Sequence, residues 1–145
     1  MRINLIEILL AVLVILLIST AMYVKFKYKK VNVKKYQKKW NNLQRMCSDK
    51  KLWYQAIIEA DTLLDEALKK RHFHGKTTGE RLVSAQNIFS ENSDVWFAHK
   101  FKNKISENHI TKITKKDTVK ALKGIRNALR DLDALPNSNT KGLDK

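Results

Sequence analysis

Three stretches of this sequence carry residue types that could do chemistry. His72 and His74 offer two imidazoles on either side of Phe73. A protein metal centre takes about four donors in all, and no cysteine or third histidine lies near this pair, so the ligand count argues against a metal. Gly75-Lys76-Thr77 has the look of the end of a phosphate-gripping loop. Lys70 stands where that loop needs its first glycine and no strand-like run precedes it, which argues against nucleotide binding. The third stretch is a cluster of eight lysines, Lys25, Lys27, Lys29, Lys30, Lys34, Lys35, Lys38 and Lys39, with Tyr23, Phe26 and Tyr28 interleaved. Lysines that snorkel among aromatic rings suit a lipid headgroup layer, where each basic residue is worth ~1 kcal/mol against anionic lipid. RNA is the other anionic ligand such a patch could meet. No residue pattern implies a cofactor.

These groups must be positioned by helices. The 145 residues include only four Gly and one Pro, and strand-type alternation is hard to find. The expected class is therefore all-α. Cys47 is the only cysteine, so the chain forms no internal disulfide, as suits a reducing compartment. The net charge of +15 is unevenly spread. Residues 25–51 hold eleven Lys or Arg against Asp49 alone, whereas residues 52–145 hold seventeen against twelve acidic residues. The excess thus lies beside the N-terminal apolar stretch, and the remainder is mildly basic.

In residues 3–24 only Asn4 and Glu7, both near the start, strongly break an apolar run. A helix of that length rises ~33 Å, which matches a bilayer's hydrocarbon core. A helix is also the state that satisfies the backbone in lipid. A cleaved signal peptide would use Arg2, the apolar run 8–18 and Ser19-Thr20-Ala21, but the lysines that follow oppose translocation. Ile3-Asn4-Leu5-Ile6-Glu7 is similar to the start of type IV pilins over five residues, yet Arg2 replaces the required glycine. A buried core helix is disfavoured by length and flanking charge. The positive-inside rule then puts the N-terminus outside and the C-terminal part in the cytoplasm, at the cell (inner) membrane.

Beyond the lysines, Val33, Tyr36, Trp40, Leu43 and Cys47 recur at three and four, as on a helix laid against its own domain; a dimerising stem is the alternative. Ser48 or Asp49 can cap a helix with a wide apolar face running from Leu52 and Trp53 through Ala56, Ile57, Leu64 and Leu68. Glu59, Asp61, Asp65 and Glu66 are expected on its solvated side. Thr77 and Glu80 form a capping box for a helix reaching Phe89. Ser93 or Asp94 caps a segment from Val95 to about Ile105. Thr114 and Asp117 open a last helix with Thr118, Leu122, Ile125, Leu129 and Leu132 inward and Lys116, Lys120, Lys123 and Arg130 outward. That basic stripe reads as a solvated face, with contact to RNA or acidic lipid as the alternative. The resulting organisation is an anchor over 1–24, a basic juxtamembrane stem helix over 25–50, a helical bundle of about four helices over 51–135, and a disordered tail over 136–145.

Residues 56–132 also carry a resemblance. Its blocks are Ala56-Ile57-Ile58-Glu59-Ala60-Asp61-Thr62-Leu63-Leu64-Asp65 and Thr78-Gly79-Glu80-Arg81-Leu82, then Val95-Trp96-Phe97-Ala98-His99-Lys100-Phe101-Lys102-Asn103-Lys104-Ile105, and finally Ala121-Leu122 with Ala128-Leu129-Arg130-Asp131-Leu132. In order and spacing they resemble a group of small membrane-anchored helical proteins of candidate-phylum bacteria, of the Saccharibacteria and Patescibacteria type. That group is in turn similar to HEPN-type helical bundles, several of which are metal-independent ribonucleases. The HEPN signature is an arginine, usually with a polar residue after it, and a histidine four to six positions on. Its equivalents here are Lys102 and Asn103, with Glu107 at the aligned histidine position and His109 following Lys102 with six residues between.

In that chemistry the histidine handles the 2′-hydroxyl proton and the cation stabilises phosphate charge. Lysine gives a point charge where arginine gives a fork, and Glu107 would repel the phosphate. The resemblance therefore implies a weakened candidate site at Lys102, Asn103 and His109. A non-enzymatic interaction module, tethered to the membrane and holding a protein partner or a second copy of itself, is the favoured expectation. A tethered ribonuclease and a lipid- or RNA-binding tether are the alternatives.

Overall fold

The computed structural model of the chain describes residues 4–27, 31–109 and 112–137. Among these residues all regular structure is helical. The six α-helices are α1 Leu5–Lys27, α2 Val33–Met46, α3 Trp53–Lys70, α4 Thr78–Ala85, α5 Asn92–Ser106 and α6 Lys115–Asp131, with 3-10 turns at Lys50–Leu52 and Gln86–Ile88. Lys25, Phe26, Lys27, Tyr28, Lys29 and Lys30 of the expected headgroup patch, and residues 138–145 of the expected tail, lie outside the described side chains; Lys34 and Lys35 are exposed on α2.

From Leu5 to Tyr23 helix α1 is apolar on every side and exposed throughout: Leu5 is 74% exposed and Ile15 61%. Its 23 residues rise ~34 Å. One N-terminal helix is thus long and apolar enough to span a membrane.

The bundle is built around α3, which packs against α2, α4, α5 and α6. Its apolar residues Ala56, Ile57, Ala60, Leu63, Leu64, Ala67 and Leu68 are all buried. Helix α2 lays Tyr36, Trp40 and Leu43 of its seam into the same core, while Val33 at the start of that seam stays exposed and Cys47 is half-buried. Asn32 caps α2 by accepting the Lys35 amide at 3.1 Å. At the α2–α3 corner Trp53 Nε1 donates to the Cys47 carbonyl at 2.9 Å, and Asp49 accepts the Lys51 amide at 2.9 Å.

Helices α5 and α6 pack antiparallel, with Asp94 facing Gly124 and Phe97 facing Lys120. The approach at Gly124 is close enough that a Cβ there would lie 2.5 Å from the Asp94 carbonyl oxygen. Glycine is needed at this point because two backbones meet, not for its conformational freedom.

Three helices end alike. After α3, α5 and α6 the chain takes a left-handed residue, His72 (φ 59°), Asn108 (φ 56°) and Asp133 (φ 55°). The next amide then reaches back to the last turn: Phe73 N to Leu68 O at 3.1 Å, His109 N to Lys104 O at 2.9 Å, and Ala134 N to Leu129 O at 2.8 Å. This closure satisfies carbonyls that a helix end would leave bare. It returns Phe73, Ala134 and Leu135 to the core.

Several local expectations are corrected. Helix α5 starts at Asn92 rather than Val95, and neither Ser93 nor Asp94 caps it. The Asp131 carboxylate holds the Ser90 amide at 2.8 Å and its hydroxyl at 2.9 Å, which fixes the preceding turn and lets the helix begin directly after it. Thr77 does accept the Glu80 amide at 3.2 Å, but Glu80 returns the bond to the Lys76 amide at 2.6 Å, one residue early for a capping box. The largest correction concerns Asp61 and Asp65. The sequence pattern puts both in solvent, yet they are 2% and 9% exposed. Because α3 is surrounded, even the edge of its apolar face is covered.

Candidate functional site

Asp61 and Asp65 lie one turn apart on α3 and therefore project from the same face. A carboxylate without partners is too costly to bury, so each must be met by donors. Helix α5 supplies the surroundings of Asp61 at i, i+3 and i+4, from His99, Lys102 and Asn103, which share its α3-facing side. Helix α4 supplies Arg81 to Asp65.

Around Asp61 the side chains close a ring. His99 Nδ1 lies 2.9 Å from Asp61 Oδ1, and Lys102 Nζ lies 3.1 Å from Oδ2. Lys102 also donates to Asn103 Oδ1 at 2.9 Å, and Asn103 Nδ2 stands 3.4 Å from His99 Nε2. The donors and acceptors agree all the way round. With its oxygen taken by lysine, Asn103 turns its amide N–H toward Nε2, so in the neutral ring Nδ1 carries the proton and donates it to Asp61. His99 and Trp96 meet edge to face, with ring centroids 6.1 Å apart. On the other side Gly79 of α4 stands close, since a Cβ built there would lie 3.7 Å from Nε2.

A second cluster flanks the first. Arg81 Nε donates to Asp65 Oδ1 at 2.7 Å, and Lys69 Nζ sits 2.7 Å from Oδ2. The remaining arm of Arg81 donates through Nη1 to the Gly75 carbonyl at 2.6 Å. Burial pushes the Asp65 carboxyl up. The hydrogen bonds from Arg81 and Lys69 and the guanidinium charge outweigh it, and the net position is below the usual carboxylate value. Gly75 takes a φ of +149° that favours glycine, and a Cβ there would sit 2.7 Å from the Arg81 amide nitrogen. Gly75-Lys76-Thr77 is thus a loop bolted to α4 by Arg81.

An aspartate that orients a histidine is a familiar route to a general base. Here the arrangement is turned inward. His99 is 8% exposed, and the nitrogen that would take a proton faces Asn103 and Gly79. Its chemistry is to satisfy a buried carboxylate and tie α3 to α5.

The structure brings Lys102 and Asn103 together but points both at Asp61 and His99. His109 is placed elsewhere: it follows the left-handed turn at Asn108, with its Nδ1 3.1 Å from Glu107 Oε2 and its side chain 67% exposed. Among the described residues no hydrogen bond or ion pair joins His109 to Lys102. His72 serves the helix end and His74 is exposed in the loop; among the described residues no three His, Cys, Asp or Glu side chains converge as ligands. Sequence reasoning missed Asp61 as a partner of Lys102 and His99. The available signal was two carboxylates one turn apart at the margin of an apolar face, with a lone interior histidine on a later helix.

Comparisons with protein-family models, with curated proteins and with solved structures find no match for this chain.

Proposed function

We propose that the chain is a membrane-anchored, non-enzymatic helical interaction module on the cytoplasmic face of the cell membrane, holding a protein partner or a second copy of itself. The observation that carries the reading is the inward closure of the polar ring. Lys102, the cation a nuclease would aim at phosphate, is spent on Asp61 and Asn103, and the proton-accepting side of His99 is covered. Helix α1 supports the anchor, and the lysines beside it support the inward orientation. The likeness of residues 56–132 to HEPN-type bundles, and to the small anchored proteins of candidate-phylum bacteria, is read as a likeness of scaffold. A fold does not dictate an activity.

Two measurements test this. A reporter fused after Lys145 is expected to be active in the cytoplasm alone; activity outside the cell membrane overturns the topology. The full chain in detergent micelles is expected to leave mixed RNA intact without metal. Cleavage that disappears in a Lys102→Ala, His109→Ala double variant would establish the ribonuclease instead.

A further inference from the structure

The outer face of α6 is strongly cationic, with exposed Val119 and partly buried Asn127 but no acidic residue within it. On a helical projection Lys116, Lys120, Lys123, Arg126 and Arg130 fall within an arc of about 120° opposite the buried side. Exposed Lys104 lies two turns after Phe97 on the same side of the neighbouring α5, the side that Lys120 of α6 meets, and adds to it. Among the described residues none of these six makes a salt bridge, whereas the acids nearest in sequence are engaged: Asp117 with Thr114, Glu107 with His109, and Asp131 with Ser90. Mutual repulsion is felt within the stripe, since burial and then the Arg130 charge push the Arg126 guanidinium below its ordinary value. Arg130 Nε is buried and has no partner. Such a concentration repels itself and attracts anionic ligands.

Two facts select the ligand. The aromatic rings of this region are engaged: Lys120 Nζ stands 4.5 Å over the partly buried Phe97, the partly buried Trp96 meets His99 edge to face, and Phe101 is 7% exposed. Open rings on which bases could stack, the usual grip on single-stranded RNA, are missing from this face among the described residues. Second, the bundle is tethered. Five residues separate Lys27 of α1 from Val33 of α2, so the six steps joining them span at most ~22 Å. If α1 crosses the bilayer, the bundle faces the headgroups at a high effective concentration, and even weak attraction is enough to dock it.

We propose that the α6 face, with Lys104 of α5, docks on anionic lipid and lays the bundle against the membrane that α1 anchors it to. This rests on the anchor assigned above. It is distinct from the lysines of residues 25–39, which any inserted chain would hold near the headgroups.

The full chain is placed in nanodiscs of phosphatidylcholine alone, or mixed with phosphatidylglycerol, and surface lysines are acylated and read by mass spectrometry. Lys104, Lys116, Lys120 and Lys123 are expected to label several-fold more slowly on the anionic discs, relative to Lys70 and Lys76 of the same chain. High salt should abolish the difference. In a Lys116→Glu, Lys120→Glu, Lys123→Glu variant, whose helicity is checked by circular dichroism, the protection of Lys104 should vanish. Equal labelling on both discs, in a chain that resists alkaline extraction, overturns the docking face and leaves the anchor standing. Release by alkali overturns both. Protection that appears on zwitterionic discs only when RNA is added overturns the lipid in favour of RNA.

Discussion

Replacing Asp61 by asparagine tests whether the polar ring holds the bundle together. The Asp61→Asn substitution keeps the shape and removes the charge. The new side-chain amide could still accept one bond through its oxygen, but the 2.9 Å bond to His99 and the 3.1 Å ion pair to Lys102 cannot both survive at full strength. Breaking a fully buried pair by neutralising one member costs about 3–5 kcal/mol. The side chain of Lys102 is 20% exposed, so its ammonium regains some water and the cost falls to about 2–3 kcal/mol. For a bundle of this size that is a drop of roughly 10–15 °C in Tm. The assay is thermal unfolding of the full chain in detergent, followed by far-ultraviolet circular dichroism. Lys102→Met should cost less, because Asp61 keeps His99, and the double variant should show a coupling of about 1–2 kcal/mol. An Asp61→Asn chain within about 0.5 kcal/mol of the parent would refute the idea that this ring ties α3 to α5.

Two further outcomes follow from the packing. Gly124→Ala should destabilise by about 1–2 kcal/mol despite the better helix propensity of alanine, because its Cβ would lie 2.5 Å from the Asp94 carbonyl oxygen; Gly79→Ala, with nothing nearer than 3.7 Å, should be tolerated in the same melt. The Tyr36 hydroxyl is pushed up to about 12 by burial first and the Glu66 charge second, so the folded chain keeps that proton more tightly than the unfolded chain. Its contribution is complete below the ordinary value of 10.0 and is lost as pH rises from there towards about 12, a loss that Tyr36→Phe should remove from alkaline unfolding curves.

The sequence by itself determined the helical class, the apolar N-terminal helix and most of the core. Each depends on local period and length, which a single segment displays. Tyr36, Trp40 and Leu43, and the inward positions Thr118, Ile125, Leu129 and Leu132, are buried where the spacing puts them. The caps at Asn108 and Asp133, and the start of α5, were less legible. They depend on backbone geometry and on Asp131 reaching Ser90, 41 residues away.

Only the tertiary structure decided the fate of the charges. Asp61 looks like a solvated carboxylate until α5, 38 residues later, covers it and presents His99 and Lys102. Within α3 the only hint is the second carboxylate, Asp65, one turn away. Periodicity shows which face is apolar, but whether its margin is wet depends on how many neighbours surround the helix. The same holds for Lys102. Its type and spacing suit a phosphate, and a buried carboxylate on another helix turns it inward, because that carboxylate is costly to leave buried without a cation beside it.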